Sequence, residues 1–237
     1  MLIPPAPSGP TMVRPVVLCD FDGTIVNMDT AEYALRKFAK GNWERYDNQF
    51  DEGKITLKQC LEREFALVRA SRSEISSEVF KVATLRPNFS RLVDYCNDRH
   101  IPLVVVSAGL DFVVKGIING NGLQDKLKIR VPKTRFTSSG IRFQFPRLKF
   151  SSSLSFKDDT VAYYHQLGRL VAYIGDGSPD FAAVKAADLA FTIRNSRLSG
   201  LCEKWKVPHI DVRDFAEVVR ALGGWRRVDN STPGGRT

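Results

Sequence analysis

The chain has 237 residues, 43% of them hydrophobic and 26% charged, with a net charge of +9. That composition is too apolar for a disordered chain and fits one large domain, or a core with one insertion. No apolar stretch approaches the roughly 20 residues that span a bilayer, and the basic residues are scattered, so the charge reads as a basic surface as readily as a nucleic-acid face.

Residues 1–14 are rich in Pro, Gly and Ser, lack the apolar centre of a signal peptide, and read as a disordered tail in which Met12 is an alternative start. The apolar run Val16 to Cys19 follows and predicts a buried strand ending at Asp20. Residues 30–84 change texture: they are rich in Glu, Lys, Arg and aromatics and contain no strand pattern. Helices are expected over Ala31 to Lys40, Thr56 to Arg69 and Ser73 to Thr84, with Thr56 as one N-cap and Ser73-x-x-Ser76 as another cap. Trp43, Tyr46 and Phe50 recur at near-helical spacing, which favours packing over a substrate box. The block lies between the first and second strands, as an inserted helical cap would.

Helical periods continue over Phe89 to Arg99 and, after the second apolar run at Leu103 to Val106, over Leu110 to Ile118. Leu127 to Phe150 alternates around Ser138-Ser139-Gly140, the pattern of a β-hairpin. Asp158 to Leu167 and Asp180 to Ala187 are helical, and Leu170 to Ile174 and Leu189 to Ile193 are further strands. Strand alternating with helix predicts an α/β, Rossmannoid parallel sheet. The expected organisation is a core over 15–29 and 85–222, the cap over 30–84, and a flexible tail over 223–237.

The four cysteines form no C-x-x-C and the three histidines no metal-ligand spacing, so a reducing, cytoplasmic setting is expected. The chemistry lies elsewhere. Asp20 and Asp22 sit where the first strand ends, Ser107-Ala108-Gly109 follows the second, and Gly175-Asp176-Gly177 follows the third, with Asp180 four residues beyond Asp176. Lys157 begins a helix, with Lys149 as its competitor. Strand-end loops of one sheet edge bring such groups together. Hard carboxylate oxygens suit Mg²⁺. Ser107, the amides of Ala108 and Gly109, and Lys157 suit phosphate oxygens. One carboxylate can attack phosphorus while a second moves protons.

On these motifs the chain resembles the haloacid dehalogenase superfamily, on its phosphatase side. Asp20-Phe21-Asp22-Gly23-Thr24, Val106-Ser107-Ala108-Gly109, Lys157 and Gly175-Asp176-Gly177-Ser178-Pro179-Asp180 occur in the family's order over nearly the whole chain. The resemblance implies a Mg²⁺-dependent phosphomonoesterase with Asp20 as nucleophile and Asp22 as general acid and base. It implies a Mg²⁺ shell of Asp20, Asp176, Asp180 and the backbone carbonyl of Asp22, with the phosphoryl group on Ser107 and Lys157. The acid at Asp22 points to phosphate esters, since ion pumps carry threonine there and dehalogenases lack the acid. Within the family the chain looks like the phosphoserine phosphatase branch, and still more like its methionine-salvage relatives, which act on 2-hydroxy-3-keto-5-methylthiopentenyl 1-phosphate.

Three positions depart from the phosphoserine enzymes. Asp29 stands in place of a glutamate that meets the substrate amine, although it can equally cap a helix; Glu64, next to Arg63, stands in place of an arginine for the substrate carboxylate; and Pro179 replaces an asparagine. The expected partner is a small phosphorylated metabolite, with neither nucleic acid nor membrane, in a monomer or homodimer. Phosphoryl transfer and non-catalytic binding of a phosphate ligand or nucleic acid are the rival readings.

Overall fold

The computed structural model of the chain describes residues 14–228. The expected tail before Arg14, the alternative start at Met12 and residues 229–237 lie outside the described residues.

Strand β1 (Arg14–Cys19) leads into four helices, α1 (Thr30–Phe38), α2 (Glu44–Asp51), α3 (Leu57–Phe65) and α4 (Arg72–Val82). Each of α1, α3 and α4 starts where a side chain accepts an otherwise unpaired amide. Asp29 accepts from Glu32 N at 2.7 Å. Thr56 with Gln59 and Ser71 with Glu74 form reciprocal capping boxes. The cap of α4 is therefore Ser71, and not the expected Ser73-x-x-Ser76, because Glu74 can return a bond to Ser71 N at 2.7 Å. Helix α3 stops at Phe65, short of the expected Arg69, where Val68 leaves the helix to pair with Ala39 in an isolated antiparallel bridge. Helix α2 is absent from the expected helices. It has no side-chain cap and buries no residue, so neither signal marks it.

Next come α5 (Phe89–Asp98), β2 (Leu103–Val106), α6 (Asp111–Gly120), β3 (Lys128–Arg130) and a hairpin of β4 (Lys133–Thr137) and β5 (Gly140–Gln144). Thr137 pairs with Gly140, so Ser138 and Ser139 form a two-residue turn. The start of the expected hairpin is instead β3, which pairs in parallel with β2. The remaining elements are α7 (Phe156–Gln166), β6 (Arg169–Gly175), a 3₁₀ turn over Ser178–Asp180, α8 (Phe181–Ala186), β7 (Leu189–Ile193), α9 (Arg197–Trp205), β8 (Ile210–Val212) and α10 (Phe215–Val228). Helix α10 continues past Gly223, where a tail was expected, anchored by the buried side chains Phe215, Val218 and Leu222.

The strands form a parallel sheet in the order β3-β2-β1-β6-β7-β8. Alternate β1 side chains feed opposite layers. Val17 and Cys19 pack with Leu92, Val113 and Val218 of α5, α6 and α10, while Val16 and Leu18 pack with Val161, Val184 and Leu198 of α7, α8 and α9. Burying each such side chain contributes about 1.5–3 kcal/mol. The chain runs outward from β1 through β2 to β3, then returns to the other side of β1 at β6. The carboxyl ends of β1, β2 and β6 therefore flank the point where strand order reverses, the usual crevice of an open α/β sheet.

Candidate active site

Asp20 follows β1 directly, and its N–H donates to the Ile174 carbonyl of β6 at 2.9 Å. That bond extends the sheet pairing by one residue and fixes the side chain above the strand end. Lys157, in the first turn of α7, is buried and meets Asp20 Oδ1 at 2.8 Å and Asp180 Oδ1 at 2.6 Å. Tyr173 Oη donates to the same Asp180 oxygen at 2.6 Å, and Gly177 N donates to Asp180 Oδ2 at 3.3 Å. Burial pulls the Lys157 ammonium down, but Asp180 and Asp20 outweigh it and hold the group above its ordinary value. Burial, then the charge of Asp180, raises the Asp20 carboxyl well above the carboxylate range, against the pull of Lys157.

Asp22 is turned toward α1. Its Oδ1 accepts from Thr30 N at 2.8 Å and from Thr30 Oγ1 at 2.5 Å, while its Oδ2 lies against Gly109. A β-carbon on Gly109 would sit 2.5 Å from that oxygen. The turn after β2 thus packs directly on the Asp22 carboxyl. The turn is itself closed by Gly109 N donating to Ser107 Oγ at 3.0 Å, with Ser107 fully buried. Burial, then Asp29, pushes the Asp22 carboxyl up to about 7, against the Thr30 bonds. Gly109→Ala should accordingly displace the Asp22 carboxyl and lower kcat by about 10²-fold or more. Steady-state kinetics checks this, and an unaltered kcat would contradict the packing.

Asp176 lies in the Gly175-Asp176-Gly177 turn that follows β6. Thr24 Oγ1 donates to its Oδ1 at 2.7 Å. Gly23, at φ +68°, approaches so closely that a β-carbon there would fall 2.0 Å from Asp176 Oδ2. Arg86 ties down the same loop, donating to the Gly23 and Thr24 carbonyls at 2.5 and 2.8 Å. Burial, then Asp180, pushes Asp176 up to about 7. Oxygens of Asp20, Asp176 and Asp180 lie within 4.8 Å of one another. Lys157 pairs with two of these three carboxylates, Asp20 and Asp180, while Asp176 has the Thr24 hydroxyl, and an all-oxygen set of this kind fits Mg²⁺.

These groups open into a cavity of about 610 Å³ that also reaches the inner faces of α1, α2 and α3. Asp20, Asp22, Asp29, Glu64, Ala108, Gly109, Lys157 and Asp176 line it. Asp29 spends its side chain on capping α1. Arg63, adjacent to Glu64 on α3, turns outward to Gln49 at 3.3 Å and the Tyr46 ring. Of the two competing lysines, Lys157 reaches Asp20, whereas Lys149 rests over the Tyr163 ring. Trp43 is buried at the cavity wall.

Three residues of the site were absent from the sequence-based set. Tyr173 left a trace: a phenol inside an apolar strand must find a partner when buried. Thr30 lies just before the expected helix over Ala31 to Lys40, and Arg86 carried no local signal at all.

The chain matches the family model described as haloacid dehalogenase-like hydrolase over residues 17–185. It is 30% identical over 212 residues to a 2-hydroxy-3-keto-5-methylthiopentenyl-1-phosphate phosphatase of Brevibacillus brevis, covering 87% of this chain and 94% of that protein. A Geobacillus thermodenitrificans protein of the same description is 29% identical, with 87% and 94% covered. A substrate-bound phosphoserine phosphatase has the same fold, with a TM-score of 0.66 at 18% identity over 88% of this chain and 98% of that one. The chain belongs to the haloacid dehalogenase-like hydrolase family.

Proposed function

We propose that the chain is a Mg²⁺-dependent phosphomonoester hydrolase of a small phosphorylated metabolite, with Asp20 as nucleophile and Asp22 as general acid and base. The hydrolase class follows from the family. The residue roles rest on one observation above others: two carboxyls lie at one strand end, one held by Lys157 and the other by Thr30. Different partners give the two acids different work.

Asp20 attacks phosphorus, forming an O–P bond as the ester O–P bond breaks. Asp22 gives its proton to the departing alcohol oxygen. Water then attacks the aspartyl-phosphate, Asp22 takes the proton back, and the Asp20 O–P bond breaks to release phosphate. Lys157 and the turn at Ser107, Ala108 and Gly109 hold the phosphoryl oxygens. Asp20, Asp176 and Asp180, with the backbone carbonyl of Asp22, would hold Mg²⁺, which supplies charge neutralisation at the phosphate. Residues 30–84 act as a cap that excludes water over a core of 15–29 and 85–222. Four buried, unbridged cysteines suit a reducing cytoplasmic setting, and no helix among the described residues is long and apolar enough to cross a membrane.

Dialysis against EDTA should abolish phosphate release from p-nitrophenyl phosphate, and Mg²⁺ should restore it. Full turnover in EDTA would overturn the metal assignment.

A further inference from the structure

The cap side of the cavity is acidic, and its acids are unevenly partnered. The two arginines that line it are already paired: Arg36 with Glu32 at 2.6 Å, and Arg197 with Asp51 at 2.8 Å. Lys157 belongs to Asp20 and Asp180. Asp47 on α2 and Glu64 on α3 have no cation paired with them among the described ion pairs, and with Cys60 they place ligand atoms within 4.8 Å of one another. Glu64 is only 2% exposed and its Oε1 has no hydrogen-bond partner, although its carboxyl also meets Asp47 and Cys60; burial, then the charge of Asp47, pushes it up to about 8. A buried oxygen of this kind is unfavourable unless something donates to it.

We infer that the alcohol released from the ester carries a primary ammonium group, seated between Glu64 and Asp47, so that the substrates are phosphate esters of amino alcohols. The inference rests on the phosphatase reading of the same cavity. An ammonium brings both what the wall lacks, a positive charge and several N–H donors, and charge-assisted bonds of this kind are the strong ones. A carboxylate-bearing leaving group would face Glu64 and Asp47 with no unpaired arginine among the described residues that line the cavity. A metal ion is the rival occupant. It would take the Cys60 sulfur with the two carboxylates, and a Zn²⁺ arm of the test separates it from the ammonium.

The test compares kcat/KM for phosphoethanolamine with that for its uncharged analogue 2-hydroxyethyl phosphate, in the full chain with Mg²⁺, alongside phosphoserine and p-nitrophenyl phosphate. The ammonium ester should be favoured at least about tenfold over the hydroxyl ester and over phosphoserine. Glu64→Gln should bring the ratio of ammonium to hydroxyl ester close to one. Asp47→Asn, at an exposed position, should lower the same ratio even where the buried substitution impairs folding. Hydrolysis of p-nitrophenyl phosphate with a wild-type ratio of one or less overturns the inference and leaves the phosphatase reading standing. So does stoichiometric Zn²⁺ binding that is lost in Glu64→Gln while the ratio is unchanged. No hydrolysis of any ester overturns both.

Discussion

Asp20→Asn is expected to lower phosphate release from p-nitrophenyl phosphate by at least about 10⁴-fold, the scale at which loss of a nucleophile is felt in enzymes whose groups act as a unit. The reason is local. Asp20 is the carboxylate that β1 presents at the point where strand order reverses, and Lys157 Nζ fixes its orientation at 2.8 Å. An amide of the same shape keeps the packing but has little power to attack phosphorus. Asp22, turned away to Thr30, cannot substitute for it. A residual rate within tenfold of wild type would remove Asp20 from the chemistry.

Lys157→Met is expected to damage stability as well as turnover. Its ammonium meets two carboxylates in the interior, and one of them also accepts from Tyr173. Removing one partner of a buried ion pair leaves charge uncompensated and costs about 3–5 kcal/mol. For a chain of this size that is a fall in Tm of roughly 6–20 °C. Thermal unfolding monitored by circular dichroism measures it. An unchanged Tm would mean that the two acids are satisfied without the lysine. Because the same ammonium holds a phosphoryl oxygen in the proposed reaction, activity should fall with stability.

The residues proposed as catalytic could be brought together from the sequence because they lie in the few residues after apolar strands, where the topology leaves them little choice of place. Asp20, Asp22, Ser107 and Asp176 all follow β-branched runs, and those runs became β1, β2 and β6 at the centre of the sheet. The groups that hold them were less legible. Thr30 and Arg86 act through pairings with distant residues that no local pattern encodes. On the cap, neighbouring residues of a helix point about 100° apart. Deciding between Arg63 and Glu64 therefore required the actual rotation of α3, which sends the glutamate inward and the arginine out. Asp47 was hidden for a different reason: α2 has neither a cap nor a buried face to announce it. Edge elements were missed likewise, since β3 and β8 are three residues each and make no apolar run.

The central claim is that phosphate passes through a covalent bond to Asp20. The most direct measurement is mass spectrometry of peptides from acid-quenched turnover of p-nitrophenyl phosphate, whose phenolate leaves without a proton, using wild type and Asp22→Asn, in which the second step is slowed for want of its base. The account predicts a phosphoryl adduct on the peptide containing Asp20, more abundant in the Asp22 variant. Turnover by the wild-type enzyme with no adduct on Asp20 in either protein would contradict it.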